Sequence, residues 1–122
     1  MKKLAVLGAT GSVGSQTLDV VRRFKDQFKV EVVAASKVSP KLLKVIDEFK
    51  PTHVYLKNPE KIKGVKVLSG TEGIKEIASL DVDLFINAVS GIDGILFTYY
   101  ILKNGKNWLL LTKSLLCVLE KS

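Results

Sequence analysis

At 122 residues the chain is one domain at most, and 47% hydrophobic residues suffice to bury a core, which excludes disorder. A single cysteine, Cys117, excludes an internal disulfide framework and fits a reducing cytoplasm, and no apolar run has the length to span a bilayer. The net charge of +7 comes from lysines spread along the whole chain, with no aromatic-interleaved basic stripe. It therefore reads as a solvated surface and predicts neither a nucleic-acid nor a membrane partner.

Met1-Lys2-Lys3 leads straight into an apolar run at 4–7, which predicts a buried strand and not a signal peptide. Gly8, Gly11 and Gly14 follow at G-x-x-G-x-x-G spacing and open a helix. Gly8 would serve the tight turn out of the strand. Gly11 would let the backbone approach a pyrophosphate, and Gly14 would let the helix lie close to the strand. The free amides and positive dipole end of that helix favour an anion. Val13, Thr17, Val20 or Val21, and Phe24 recur at helical spacing and would form its inward face.

A second strand is predicted at 30–35, followed by a loop in which Ser39 caps a helix and Pro40 takes its first position. Leu42, Leu43, Val45, Ile46 and Phe49 carry that helix to its end before Pro51. Strands are then predicted at 53–56 and 65–68, and a helix at 71–79 with Ile74 and Ile77 inward. Asp81 and Asp83 would face solvent before a buried strand at 84–88. A turn at 89–91 leads to a helix at 92–103, stopped by Asn104-Gly105. A strand at 108–111 and a helix at 113–121 complete the pattern.

Strands alternating with helices imply a Rossmann-type α/β fold, a doubly wound parallel sheet in a single three-layer domain over residues 1–122. In such a sheet a ligand lies past the carboxyl ends of the strands, where strand order switches. The loops at 8–14, 36–39, 88–91 and 112–114 would meet there. The end of the second strand, which reads the adenosine ribose, is Ala34-Ala35-Ser36-Lys37, with no acid until Asp47. A carboxylate there would favour NAD, whereas Ser36 and Lys37 would hold the 2′-phosphate of NADP. Lys37 is equally readable as one of many solvent lysines.

Residues 8–21, Gly-Ala-Thr-Gly-Ser-Val-Gly-Ser-Gln-Thr-Leu-Asp-Val-Val, resemble the opening of the 1-deoxy-D-xylulose 5-phosphate reductoisomerase family. Residues 87–94, Asn-Ala-Val-Ser-Gly-Ile-Asp-Gly, resemble that family's second signature, and residues 71–78 are also similar. The resemblance implies an NADPH-dependent oxidoreductase of non-mevalonate isoprenoid biosynthesis, which isomerises and reduces 1-deoxy-D-xylulose 5-phosphate with the help of a divalent metal. It implies that Thr10, Gly11, Ser12 and Val13 hold the pyrophosphate, with Gly8 and Gly14 shaping the turn. It places Ser36 and Lys37 near the 2′-phosphate, and Ala88, Val89 and Ser90 at the nicotinamide end. The family's Ala-Asn-Lys-Glu-Ser-Leu segment corresponds to Leu111-Thr112-Lys113-Ser114-Leu115-Leu116, one residue short, in which Lys113 retains the lysine. The family's acidic metal ligands and substrate site lie past Ser122. The expectation is therefore a cofactor-binding fragment with no metal site and no catalytic residue of its own, inactive alone.

His53 has no second histidine or cysteine at ligand spacing and reads as structural, and Cys117 reads as a buried inert thiol. Phe97, Trp108, Leu116 and Leu119 depart from the family pattern. They raise a second reading, in which a redesigned scaffold with a vestigial cofactor site self-associates, or binds a partner, through these apolar groups.

Overall fold

Residues 1–110 are described by the structure, a computed structural model. The elements run β1 (Lys2–Leu7), α1 (Ser12–Arg23), β2 (Phe28–Ala35), α2 (Pro40–Phe49) and β3 (His53–Leu56). They continue as β4 (Lys66–Leu68), α3 (Gly70–Ala78), β5 (Leu84–Asn87), α4 (Gly91–Lys103) and β6 (Trp108–Leu110). The six strands form one sheet in the order β4-β3-β2-β1-β5-β6, and every neighbouring pair is parallel. The chain winds outward from β1 to β4, then crosses back to place β5 on the other side of β1. The switch in strand order thus falls between β1 and β5. The doubly wound parallel sheet predicted from the alternation is present.

Side-chain alternation divides the apolar residues of β1, β2, β3 and β5 between two cores. Leu4 and Val6 of β1, Val33 and Ala35 of β2, and Val54 and Leu56 of β3 pack with Leu18 and Val21 of α1 and Leu42 and Val45 of α2. Ala5 and Leu7, Val32 and Ala34, Tyr55 and Phe85 face Ile74 and Ile77 of α3 and Phe97 and Ile101 of α4. The result is three layers. Phe85 and Phe97 are fully enclosed, and burial of each contributes roughly 2 kcal/mol. One irregularity interrupts the alternation: the register of β1 against β2 passes from Leu4↔Val30 to Ala5↔Val32, so Glu31 bulges out of the ladder.

Local chemistry sets the helix ends. The Ser39 hydroxyl accepts from the Leu42 amide at 3.1 Å and Pro40 opens α2, as the sequence predicts. Lys50 closes α2 in the left-handed region at φ 50°. α1 ends one residue before Phe24, so that ring is 46% exposed and is not part of the inward face. Gly14, Thr17, Leu18 and Val21 of α1 are buried, Val13 and Val20 pack half-buried against the same core as predicted, and the Thr17 hydroxyl donates to the Val13 carbonyl. Asp81 and Asp83 are exposed, as expected. No helix among the described residues is long and apolar enough to cross a membrane. The helix predicted at 113–121, with Cys117, lies outside the described residues.

Candidate functional site

The turn after β1 is tied down from both sides. The Gly8 and Ala9 amides both donate to the Ala34 carbonyl of β2, at 2.9 and 2.8 Å, and the Ala88 amide after β5 donates to the Leu7 carbonyl at 2.8 Å. Gly8 has φ +90°, and a Cβ there would stand 2.7 Å from the Ala88 carbonyl oxygen. Gly14 lies against the same turn: its Cβ would fall 1.8 Å from the Gly8 carbonyl oxygen. These two glycines are required by packing within the chain. Gly11 differs, because the nearest atom to a Cβ there is 3.7 Å away. The chain itself therefore makes no demand for glycine at 11, and the space above it is open.

α1 starts at this open point. Its cap is Gly11, no side chain caps it, and its first turn carries no acid. The first-turn amides of Ser12 and Val13 stand at the positive end of the helix with no side-chain cap and no acid to compensate them, the condition for holding an anion. α4 also starts without a side-chain cap, after Ser90. Between the two helix ends lies a cleft of about 340 Å³ at the switch point, the position expected for a ligand in an open parallel sheet.

Of the residues predicted to bind cofactor, Gly8, Thr10, Gly11, Ser36, Ala88, Val89 and Ser90 line this cleft. Ser12, Val13 and Gly14 form the first turn of α1 beside it. Lys37 follows Ser36 directly but is not part of the lining. Lys113 lies outside the described residues.

The lining also holds Tyr55 and Lys57, which sequence reasoning missed, and Ile92 and Asp93, which it placed in the second signature without a site role. The Tyr55 hydroxyl, from β3, donates to the Asp93 carboxylate in the first turn of α4 at 3.3 Å. Burial, reinforced by the Asp93 charge and hydrogen bond, pushes the Tyr55 phenol up to about 12, so it stays a neutral donor near pH 7. The Tyr55 ring meets Phe97 edge to face at 5.1 Å. This corrects the reading of Phe97 as a surface anchor: its exposure is 0%, because it fills the core between α4 and β3. Of the other proposed anchors, Leu116 and Leu119 lie outside the described residues, and β6, which holds Trp108, is described only as a strand beside β5.

Asn87, at the end of β5, supports the second turn. It is fully buried; its Nδ2 donates to the Gly94 carbonyl and the Thr98 hydroxyl, both at 2.9 Å, and its Oδ1 accepts from the Val89 amide at 3.2 Å. One polar side chain at the end of an apolar strand thus fixes the loop that carries Val89 and Ser90. His53 is half-buried, its Nδ1 2.9 Å from the Thr52 hydroxyl. Among the described residues no group of three or more His, Cys, Asp or Glu is placed to hold a metal ion.

The family model for 1-deoxy-D-xylulose 5-phosphate reductoisomerase matches residues 4–119. The chain belongs to this family. The reductoisomerase of Persephonella marina is 60% identical over 106 residues, which cover 87% of this chain and 28% of that protein. That of a Sulfurihydrogenibium species is 55% identical over 108 residues, covering 87% and 29%. A solved DOX-P reductoisomerase in complex with NADPH, fosmidomycin and magnesium superposes with a TM-score of 0.83 at 31% identity, over 93% of this chain and 30% of that one. The Zymomonas mobilis enzyme in complex with NADPH superposes with a TM-score of 0.80 at 26% identity, over 93% and 32%. The chain thus spans about three-tenths of the length of these relatives.

Proposed function

We propose that this chain is the NADPH-binding part of a 1-deoxy-D-xylulose 5-phosphate reductoisomerase. The observation that carries the reading is Gly11: open space where the chain itself needs no glycine, at the uncapped amide end of α1. A diphosphate fits that cradle, and a Cβ would fill it. In this reading Thr10, Gly11, Ser12 and Val13 hold the pyrophosphate, with Gly14 letting α1 lie against the turn behind them. Ser36 and Lys37 take the adenosine 2′-phosphate, where an acid would have selected NAD. Ala88, Val89 and Ser90 line the nicotinamide end, on a loop fixed by Asn87, and Lys113 extends it.

NADPH, when bound, supplies the hydride. The residues lining the cleft would hold and orient it. Reduction of 1-deoxy-D-xylulose 5-phosphate, and the divalent metal that assists it, belong in this reading to the whole protein in the cytoplasm, because hydride transfer needs both reactants held together. Alone, the chain binds without turnover.

Titration with NADPH and NADH, followed by Trp108 fluorescence, tests this. Saturable binding that prefers NADPH is the expected result. No saturation at millimolar cofactor would overturn it in favour of a scaffold with a vestigial site.

A further inference from the structure

We propose that Lys57 is a specificity residue of the cofactor site, supplying a cation for the adenosine 2′-phosphate from the strand next to the one that carries Ser36. This rests on the NADPH reading above and assigns a role to a residue outside the glycine turn and its matching loops.

The geometry comes from the sheet. β2 and β3 are parallel neighbours, with Ala34 opposite Tyr55 and Ala35 opposite Leu56. Backbone pairing continues past both strand ends: the Lys57 amide donates to the Ala35 carbonyl at 3.2 Å and the Asn58 amide to the Ser36 carbonyl at 2.9 Å. Lys57 is therefore held beside Ser36, the position that reads the ribose 2′ substituent in sheets of this kind. Side chains alternate along a strand, so Lys57 follows Tyr55 on the side of the sheet that faces α3 and α4.

Charge singles Lys57 out. Among the described residues that line the cleft it is the one cation, and Asp93 is the one acid. Asp93 is engaged by the Tyr55 hydroxyl at 3.3 Å. Glu60, further along the same loop, is turned to the Val38 amide at 3.3 Å. Lys57 is in no ion pair among the described residues. Its ammonium, carried on a flexible stem over a backbone fixed by two hydrogen bonds, is free to meet a dianionic group. NADH, which carries a hydroxyl there, gains nothing from it.

The test compares the 122-residue chain with its Lys57→Gln and Lys61→Gln variants. Lys61 is exposed and outside the cleft lining, so it controls for net charge. Lys57→Gln is expected to weaken NADPH about tenfold and leave NADH within about twofold, the scale of one lost charge-assisted contact. Lys61→Gln should change NADPH by less than about twofold, as a long-range charge does at physiological salt. Competition by adenosine 2′,5′-bisphosphate should weaken with Lys57→Gln, while competition by ADP should not. Equal loss for NADPH and NADH would overturn the assignment and make Lys57 a support for adenine. An unchanged NADPH-to-NADH ratio would also overturn it. If the unaltered chain binds neither nucleotide, both this assignment and the reading beneath it fall.

Discussion

The two edges of the sheet use their polar groups differently. At the amino edge they answer one another. The Lys3 amide donates to the Asp83 carboxylate at 2.7 Å, and the Asp83 amide donates back to the Lys3 carbonyl at 2.9 Å. The Thr52 amide donates to the Glu31 carbonyl at 2.8 Å, and Lys29 Nζ sits 3.0 Å from the Glu31 carboxylate. At the carboxyl edge α1 and α4 start uncapped, beside exposed Gly11 and Ser90. Backbone groups left unpaired at a surface cleft are costly for folding alone but available to a ligand. One edge thus contributes stability, and the other is held open by interactions placed behind it.

Changes behind the open edge should be the most damaging. Gly14→Ala drives a Cβ to 1.8 Å from the Gly8 carbonyl oxygen, which neither backbone can yield without moving β1 or α1. We expect a loss of more than about 3 kcal/mol and a fall in Tm of roughly 10 °C or more by thermal denaturation. A Tm within a few degrees of the parent would mean that the glycine turn is looser than the contact implies. Asn87→Ala comes next. It removes two donated hydrogen bonds and strands the Val89 amide, for about 2 kcal/mol. Hydrogen exchange should show faster opening at 88–94 than elsewhere, and uniform acceleration would count against a local role.

Gly11→Ala separates the two purposes. The new methyl stands 3.7 Å from its nearest neighbour at an ordinary φ of −74°, so stability should change by less than about 1 kcal/mol. NADPH affinity should fall about tenfold or more, because the methyl occupies the space proposed for the diphosphate. If Gly11→Ala and Gly14→Ala have the same effect on both measurements, the distinction between packing glycine and ligand glycine is wrong.

Which features were legible in the sequence follows the same division. The glycine turn was readable because its spacing encodes the absence of side chains, and the strands were readable from runs of apolar residues. Ser39 and Pro40 announced the start of α2 through capping chemistry that acts over three residues. Phe97 was not legible as core: its burial depends on Tyr55, 42 positions earlier, facing it across the layer. The Tyr55–Asp93 hydrogen bond spans 38 positions and leaves no periodic trace. Lys57 had a signal that was available, its place just past the end of a parallel strand, where ligands gather. Phe24 continued the helical spacing of α1 but fell one residue past its end, which periodicity does not mark.

The smallest expected effect tests the closed edge. Glu31 bulges out of β2 and is held below its ordinary carboxyl value of 4.5 chiefly by the hydrogen bond from Lys29, with burial opposing and Thr52 assisting. A carboxyl with a depressed folded pKa stabilises the fold only while it is ionised. Its contribution is complete above the unfolded value and fades as pH falls through the folded one. Glu31→Gln should therefore cost under about 1 kcal/mol near pH 7 and progressively less as pH falls from there through and below the ordinary value of 4.5. The measurement is the Tm difference between parent and variant across that range. A difference that persists unchanged at the acid end would show that Glu31 acts through the shape of the bulge and not through its charge.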